Sequence, residues 1–371
     1  MRRALVILIL SQIHIFLFGQ IIADHTIVDK YDDIPQYYID QVKKMWVSYA
    51  GESHSLGVRS GLLALEALDP KYAVNVRESG TPDPYTTVNL RFSRATWGDY
   101  SHATGWIYEY GEEDWFTSEQ AISRTKAGIT YSNHNGFDLS AIGFGWCWDT
   151  NIFYDFEFLK YINATLDYIA YCSDSIPTKV FFTTGTTDIY NGQTGYYKYL
   201  GYEQIRNSVK ADPSRILFDY ADILCYDDDG TPNTTTWDGH TYPWITATNG
   251  TPDEVAHISN AGALRLAKAM WWMLARMAGW NGITTDITEN ESTGTMNVVL
   301  DYNSDEIRIN ISDNWLNGQI NLYNTYGSLV ENKIIMSNLC TFSKSTLTTG
   351  IYIIIANKSN LIETKKILIV R

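Results

Sequence analysis

Short, nearly continuous apolar runs recur along the first two thirds of the chain, separated by segments whose apolar positions fall three and four apart. "KMWVSYAG" (44–51), "YAVNVRESG" (72–80), "LSAIGFGW" (139–146), "KVFFTTG" (179–185) and "ILFDYADIL" (216–224) read as strands. Residues 55–68, 152–172, 202–209 and 260–278 carry helical spacing. In the last of these, Leu264, Ala267, Met270, Trp271, Leu274 and Met277 share a face, and Gly279 follows as a stop. Strands that are nearly continuous in apolar residues, alternating with amphipathic helices, argue for a sheet covered on both faces. The pattern predicts an α/β domain in which helices form the outer layers of a three-layer sandwich around a central parallel five-stranded sheet. Residues 81–138 show no clean periodicity and are rich in Tyr, Trp, Asp and Glu, which reads as long surface loops.

Past residue 282 the pattern changes. "GITTDITENESTGT" has few large apolar side chains and reads as a linker, residues 283–296. Beyond it "MNVVLDY", "EIRINIS", "GIYIIIAN" and "TKKILIVR" are short strands with turn residues between them, a small all-β sandwich over 297–371. At the other end, Arg2 and Arg3 precede an apolar stretch, with Gly19, Gln20 and Ala23 after it. This is the form of a secretory signal peptide over residues 1–23, leaving a main domain over 24–282. No later segment offers the ~20 uninterrupted apolar residues of a membrane span.

Charge and cysteine content narrow the chemistry. A net charge of −14 suits neither a nucleic-acid backbone nor an anionic membrane surface. Four cysteines, Cys147, Cys172, Cys225 and Cys340, make no disulfide framework, and none stands with His or Cys at zinc-ligand spacing, so no metal is expected. "YDDDG" (226–230) lacks the distal Glu of a calcium loop and reads as a solvated turn.

One stretch points to catalysis. In "WVSYAGESHSLGVRSGLLAL" (46–65) Ser53 stands between a buried strand and an amphipathic helix, where an open parallel sheet places its ligands. Its ordinary role is a helix cap. As a nucleophile it needs a base at the same rim. Of seven histidines, His257 stands on the loop just before the helix over 260–278, with Asp253 and Glu254 upstream as candidates to orient its ring.

"GESHS", Gly80 in "RESG", and "DEVAHISNAGALRLAKA" together resemble the successive blocks of the SGNH (GDSL-like) hydrolase family over about residues 40–282. That resemblance implies a cofactor-independent serine esterase of flavodoxin-like α/β fold. Ser53 is then the nucleophile, His257 the base, and the backbone N–H groups of Ser53 and Gly80 part of the oxyanion hole. Two positions depart from the family pattern. Glu254 stands where the family has Asp, with Asp253 one residue further back. The Gly-x-Asn-Asp block is missing, with Asn151 or the indoles of Trp146 and Trp148 nearest to replace its Asn. Tyr and Trp in 97–116 and 226–245 offer flat faces for sugar rings, so an ester or acetylated carbohydrate is the expected substrate; the same residues serve equally well as loop packing. A non-catalytic glycan-binding or surface protein on this fold is the alternative.

The tail, through "LYNTYGSLV" (322–330), "LTTGIYIII" (347–355) and "KKILIV" (365–370), resembles the C-terminal sorting domain of the type IX secretion system of Bacteroidetes. This implies a partner in that export machinery and a secreted or cell-surface location.

Overall fold

The computed structural model describes residues 19–51, 53–78, 80, 82–94, 114–145, 155–173, 176–185, 191–282, 296–300, 305–324, 328–358 and 361–369. Two compact units divide at residues 284 and 285. The first contains, in order, β1 (Ile22–Ala23), α1 (Gln36–Val42), β2 (Trp46–Ala50), α2 (Ser53–Leu68), β3 (Val74–Arg77), β4 (Leu90–Ser93), α3 (Asp114–Thr117), α4 (Glu119–His134) and β5 (Leu139–Phe144). It continues with α5 (Asp155–Cys172), β6 (Lys179–Thr183), α6 (Gly192–Lys210), β7 (Ile216–Phe218), α7 (Tyr220–Leu224), β8 (Thr234–Trp237), β9 (His240–Pro243), α8 (Ala247–Gly250) and α9 (Asn260–Met277).

The central sheet runs β1-β7-β6-β5-β2-β4-β3 with every pairing parallel. β2 shows why both faces are covered. Its alternate side chains Trp46 and Ala50 enter one core with Phe144 of β5 and Phe158 and Tyr161 of α5. Val47 and Tyr49 enter the other with Leu62 of α2 and Met270, Trp271 and Leu274 of α9. All five β2 residues are buried, and each large side chain removed from water stabilises the fold by about 1.5–3 kcal/mol.

The three-layer α/β architecture with a parallel sheet is as the apolar pattern predicts, but the sheet has seven strands rather than five. β4 lies between β2 and β3, inside the stretch read as surface loops, and α4 follows in the same stretch. β1 pairs with β7 at the far edge. It falls within the residues read as leader, yet Ala23 is fully buried and the Gln20 amide donates to the carbonyls of Val209 and Asp212 at 2.7 and 2.9 Å. The folded body therefore includes residues 19–23, the last five of the residues read as a signal peptide. The run 216–224 is not one strand. Asp219 ends β7, and its carboxylate accepts the Asp222 N–H at 3.3 Å to start α7.

α2 and α9 touch without intervening side chains. A β-carbon on Gly61 would lie 1.9 Å from the Ala263 carbonyl oxygen, so only glycine permits this approach. The second unit carries two antiparallel sheets. One is β10 (Met296–Leu300), β11 (Glu306–Ile311) and β14 (Leu339–Ser343) in the order β10-β11-β14. The other is β12 (Gln319–Asn324), β13 (Leu329–Ile334), β15 (Gly350–Lys358) and β16 (Leu361–Ile369) in the order β13-β12-β15-β16. Alternate residues Ile307, Ile309 and Ile311 of β11 meet Ile320 and Leu322 of β12 in its core.

Candidate active site

β2 is the strand at which the chain changes direction across the sheet: β4 flanks it on one side and β5 on the other. A crevice at the carboxyl ends of such strands is where open α/β sheets bind ligands. The strand-to-helix turn there is tightly held. Gly51, at φ 134°, leaves room for Gly145, whose N–H donates to the Ala50 carbonyl at 2.6 Å. The buried Ser55 hydroxyl lies 3.0 Å from the carbonyl oxygens of Tyr49 and Gly51 and accepts from Arg59. Arg59, buried within α2, donates to Glu78 beyond β3 at 2.6 Å. Ser53 thus begins α2 on a rigid base, half-buried, at the first helical position.

His257 reaches the same place from the other end of the domain. Val255 and Ile258 exchange two backbone hydrogen bonds of 3.0 Å, and the two residues between them, Ala256 and His257, hold φ of 53° and 69°. This is a tight turn with both central residues left-handed, a conformation costing about 1–2 kcal/mol per non-glycine residue. Strain of this kind collects at functional sites. The turn seats on α2: Ile258, fully buried, places Cδ1 3.1 Å from where a β-carbon on Gly57 would stand. The His257 ring centre lies 5.7 Å from that of His54, the residue after Ser53, while the buried His54 meets Tyr220 edge-on at 5.6 Å. The imidazole therefore stands beside the first turn of α2, about one-third exposed.

The two upstream acids separate cleanly. Asp253 Oδ2 lies 3.9 Å from His257 Nδ1. Glu254 turns away: its carboxylate accepts the Asn260 N–H at 2.9 Å, helping Ser259 cap α9. No hydrogen bond joins Ser53 to His257. Gly80, at φ 91°, faces open space where a β-carbon would be. Asn151, Trp146 and Trp148 lie outside the described residues, as does most of the aromatic stretch 97–116.

A second polar constellation on the same rim is not evident from the sequence. His25, just after β1, sets Nδ1 2.5 Å from Asp222 Oδ2, which also accepts the His25 backbone N–H at 2.9 Å. Its ring stacks on Tyr226 at 3.4 Å. With Asp24 these are, among the described residues, the group whose donor atoms could surround a metal ion, all within 4.8 Å of one another. Burial, and next the Asp219 charge, raise the Asp222 carboxyl above its ordinary pKa. Burial pushes Asp219 the same way, but the Arg206 guanidinium, which grips it at 2.7 and 2.8 Å, outweighs that and holds its pKa low. The signal that would reveal this cluster, a strand ending at Ala23, is hidden in the apolar leader-like run.

The "YDDDG" segment is a turn: Gly230 N–H donates to the Asp227 carbonyl, Asp229 accepts from Thr231, and Asp228 pairs with Arg265. Cys172, Cys225 and Cys340 are buried thiols.

No curated protein matches the chain. Residues 303–370 match the family described as the secretion system C-terminal sorting domain; the match lies within the second unit and implies engagement with the type IX machinery and export to the cell surface or beyond.

Proposed function

We propose that the first unit is a secreted serine esterase of the SGNH type, hydrolysing acyl esters, acetyl esters first, carried on polysaccharides. The observation that carries this reading is the seating of Ile258 on Gly57, which stands an imidazole beside the first turn of the helix that Ser53 begins. In the proposed reaction His257 takes the Ser53 proton as Oγ attacks the ester carbonyl. The tetrahedral oxyanion is met by the backbone N–H groups of Ser53 and Gly80 and by the positive end of α2. Asp253, facing Nδ1, favours the tautomer whose Nε2 accepts that proton. His257 then returns the proton to the departing alcohol, and water repeats the sequence on the acyl-enzyme.

The test is covalent and kinetic. A fluorophosphonate should label Ser53 in the wild type and not in Ser53→Ala, and the variant should lose turnover of p-nitrophenyl acetate while melting normally. Normal turnover by Ser53→Ala would overturn the assignment. The second reading, a glycan-binding protein on the same fold, is favoured by the missing hydrogen bond between Ser53 and His257; it expects no labelling together with measurable oligosaccharide binding.

A further inference from the structure

The aromatic residues of 226–245 differ in what their faces are already used for. Tyr226 is stacked on His25. His240 lies parallel to Tyr196 of α6 at 4.5 Å, Trp237 leans on Tyr196 and Tyr197 at 5.8 and 6.0 Å, and the buried Tyr242 stacks against Tyr199 at 6.2 Å. These rings fasten the β8–β9 hairpin to α6. Trp244 differs: it is half-buried and packs in part against the core that contains Ile245 and Ile258, but among the described residues its indole has no ring, cation or hydrogen-bond partner. Its backbone N–H, donating to the Asn233 carbonyl at 3.0 Å, fixes its position.

Trp244 and His257 border one open groove of about 320 Å³, at the lower end of the size range of small-ligand sites. Asn233, Gly250 and Thr251 line it with them. The Asn233 amide nitrogen donates to the Ile245 carbonyl at 2.7 Å, which leaves its Oδ1 to accept from a ligand. Thr251 is exposed, and apart from the imidazole no lining residue is ionisable. A flat apolar plate, an amide acceptor and a hydroxyl, with no fixed charge, match an uncharged polyhydroxylated ring. They do not match an anionic or cationic ligand, which would be desolvated without a partner.

We infer that this groove holds the neutral sugar ring of the leaving alcohol, stacked on Trp244, so that Trp244 is the specificity-determining residue of the site; this rests on the acyl-transfer reading above. As the Ser53 Oγ–acyl bond forms and the acyl–oxygen bond to the sugar breaks, the proton taken from Ser53 passes from His257 to the sugar oxygen, which departs as an alcohol on the His257 side.

The experiment compares wild type, Trp244→Ala, Trp244→Phe and Ser53→Ala on acetylated xylo-oligosaccharide and on p-nitrophenyl acetate, with calorimetric binding of unacetylated xylohexaose. Trp244→Ala is expected to lower the ratio of kcat/KM for the sugar ester to that for the small ester by about tenfold, the loss of one good contact. It should weaken xylohexaose binding to the same degree, with Trp244→Phe restoring most of both. An unchanged ratio and unchanged binding in Trp244→Ala would overturn the inference, as would tighter binding of acidic polygalacturonate than of xylohexaose. Active Ser53→Ala alongside binding lost in Trp244→Ala would overturn the esterase and leave the sugar groove standing. Inactive Ser53→Ala with wild-type binding in Trp244→Ala would do the reverse.

Discussion

Ile258 rests on Gly57 with only 3.1 Å between its Cδ1 and the position a β-carbon would take, and through this contact the turn carrying His257 is pressed onto α2. Alanine at position 57 asks the isoleucine to give by a few tenths of an ångström. Valine asks for much more, and overpacking of this kind costs about 1–3 kcal/mol. Because a displacement near 1 Å in catalytic geometry can cost roughly 10² in rate, Gly57→Val is expected to lower kcat/KM of the proposed ester hydrolysis by about that factor. Adding Ile258→Ala should recover part of it. Kinetics on the single and double variants check the point; a double variant no better than the single one counts against the seating.

The close approach of α2 and α9 at Gly61 makes a separate prediction about the fold. Here the obstacle is a backbone carbonyl, that of Ala263, and it cannot swing aside as a side chain can. Gly61→Ala must push two helices apart and is expected to destabilise by at least ~1–3 kcal/mol, read from urea unfolding. A stability within about 0.5 kcal/mol of wild type would mean the two helices are less tightly joined than described.

Asp253 and Glu254 are neighbours in sequence with different work to do. Asp253 faces His257 Nδ1 from an exposed position, so water partly replaces it when it is lost. Asp253→Asn is expected to lower kcat roughly 10–10²-fold, short of the full effect of a buried orienting acid. Glu254→Ala removes an acceptor from the start of α9 and is expected to cost about 0.5–2 kcal/mol of stability, mainly seen as a lower melting temperature. If the larger kinetic loss follows Glu254→Ala instead, the assignment of the two acids is reversed.

Much of this arrangement is legible in the chain. β2 is buried at every position and apolar at all but Ser48, and α9 carries a helical stripe, so the sheet, its layers and the two ends that bear Ser53 and His257 follow from the pattern. Three features resist it for identifiable reasons. β4, "LRFS", is interrupted by Arg91, whose guanidinium is buried against the Phe137 carbonyl at 2.6 Å and over Trp46; a charged residue inside a strand masks an apolar run. α7 is concealed because Asp219 stops a strand and starts a helix within one apolar stretch. The left-handed backbone at Ala256 and His257 has no sequence signature, since neither is the glycine or asparagine usual in such turns.

The Arg206–Asp219 pair sets an expectation for acid. Both side chains are almost wholly buried. Burial alone would favour protonated Asp219, but Arg206 outweighs it, so the folded state binds this proton less readily than the unfolded chain, whose reference pKa is 3.8. The pair's contribution is therefore complete above the unfolded value and is lost as the pH falls through the lower folded one. Urea midpoints should be flat from pH 7 to about 5 with respect to this pair and fall below 4, with a shallower fall in Asp219→Asn. Arg206→Met leaves the carboxylate buried and unpaired and is expected to cost about 3–5 kcal/mol at neutral pH.

The N-terminal edge of the sheet decides where the folded body begins. Ile21 and Ala23 accept the Leu217 and Asp219 N–H groups at 3.0 and 2.8 Å, and the Gln20 amide caps the carbonyls that end α6 and follow it. His25, one residue beyond β1, is in turn held by Asp222. A chain starting at Asp24 loses the hydrogen bonds of Gln20, Ile21 and Ala23, each worth about 1 kcal/mol net, and uncovers an edge of β7. A chain starting at Gly19 keeps them all. The shorter form is expected to be less stable by about 2–5 kcal/mol, and the exported protein to retain Gln20 when its N-terminus is read by mass spectrometry. Equal melting of the two forms would mean that residues 19–23 add nothing to the folded body and that β7 is the effective edge of a six-stranded sheet.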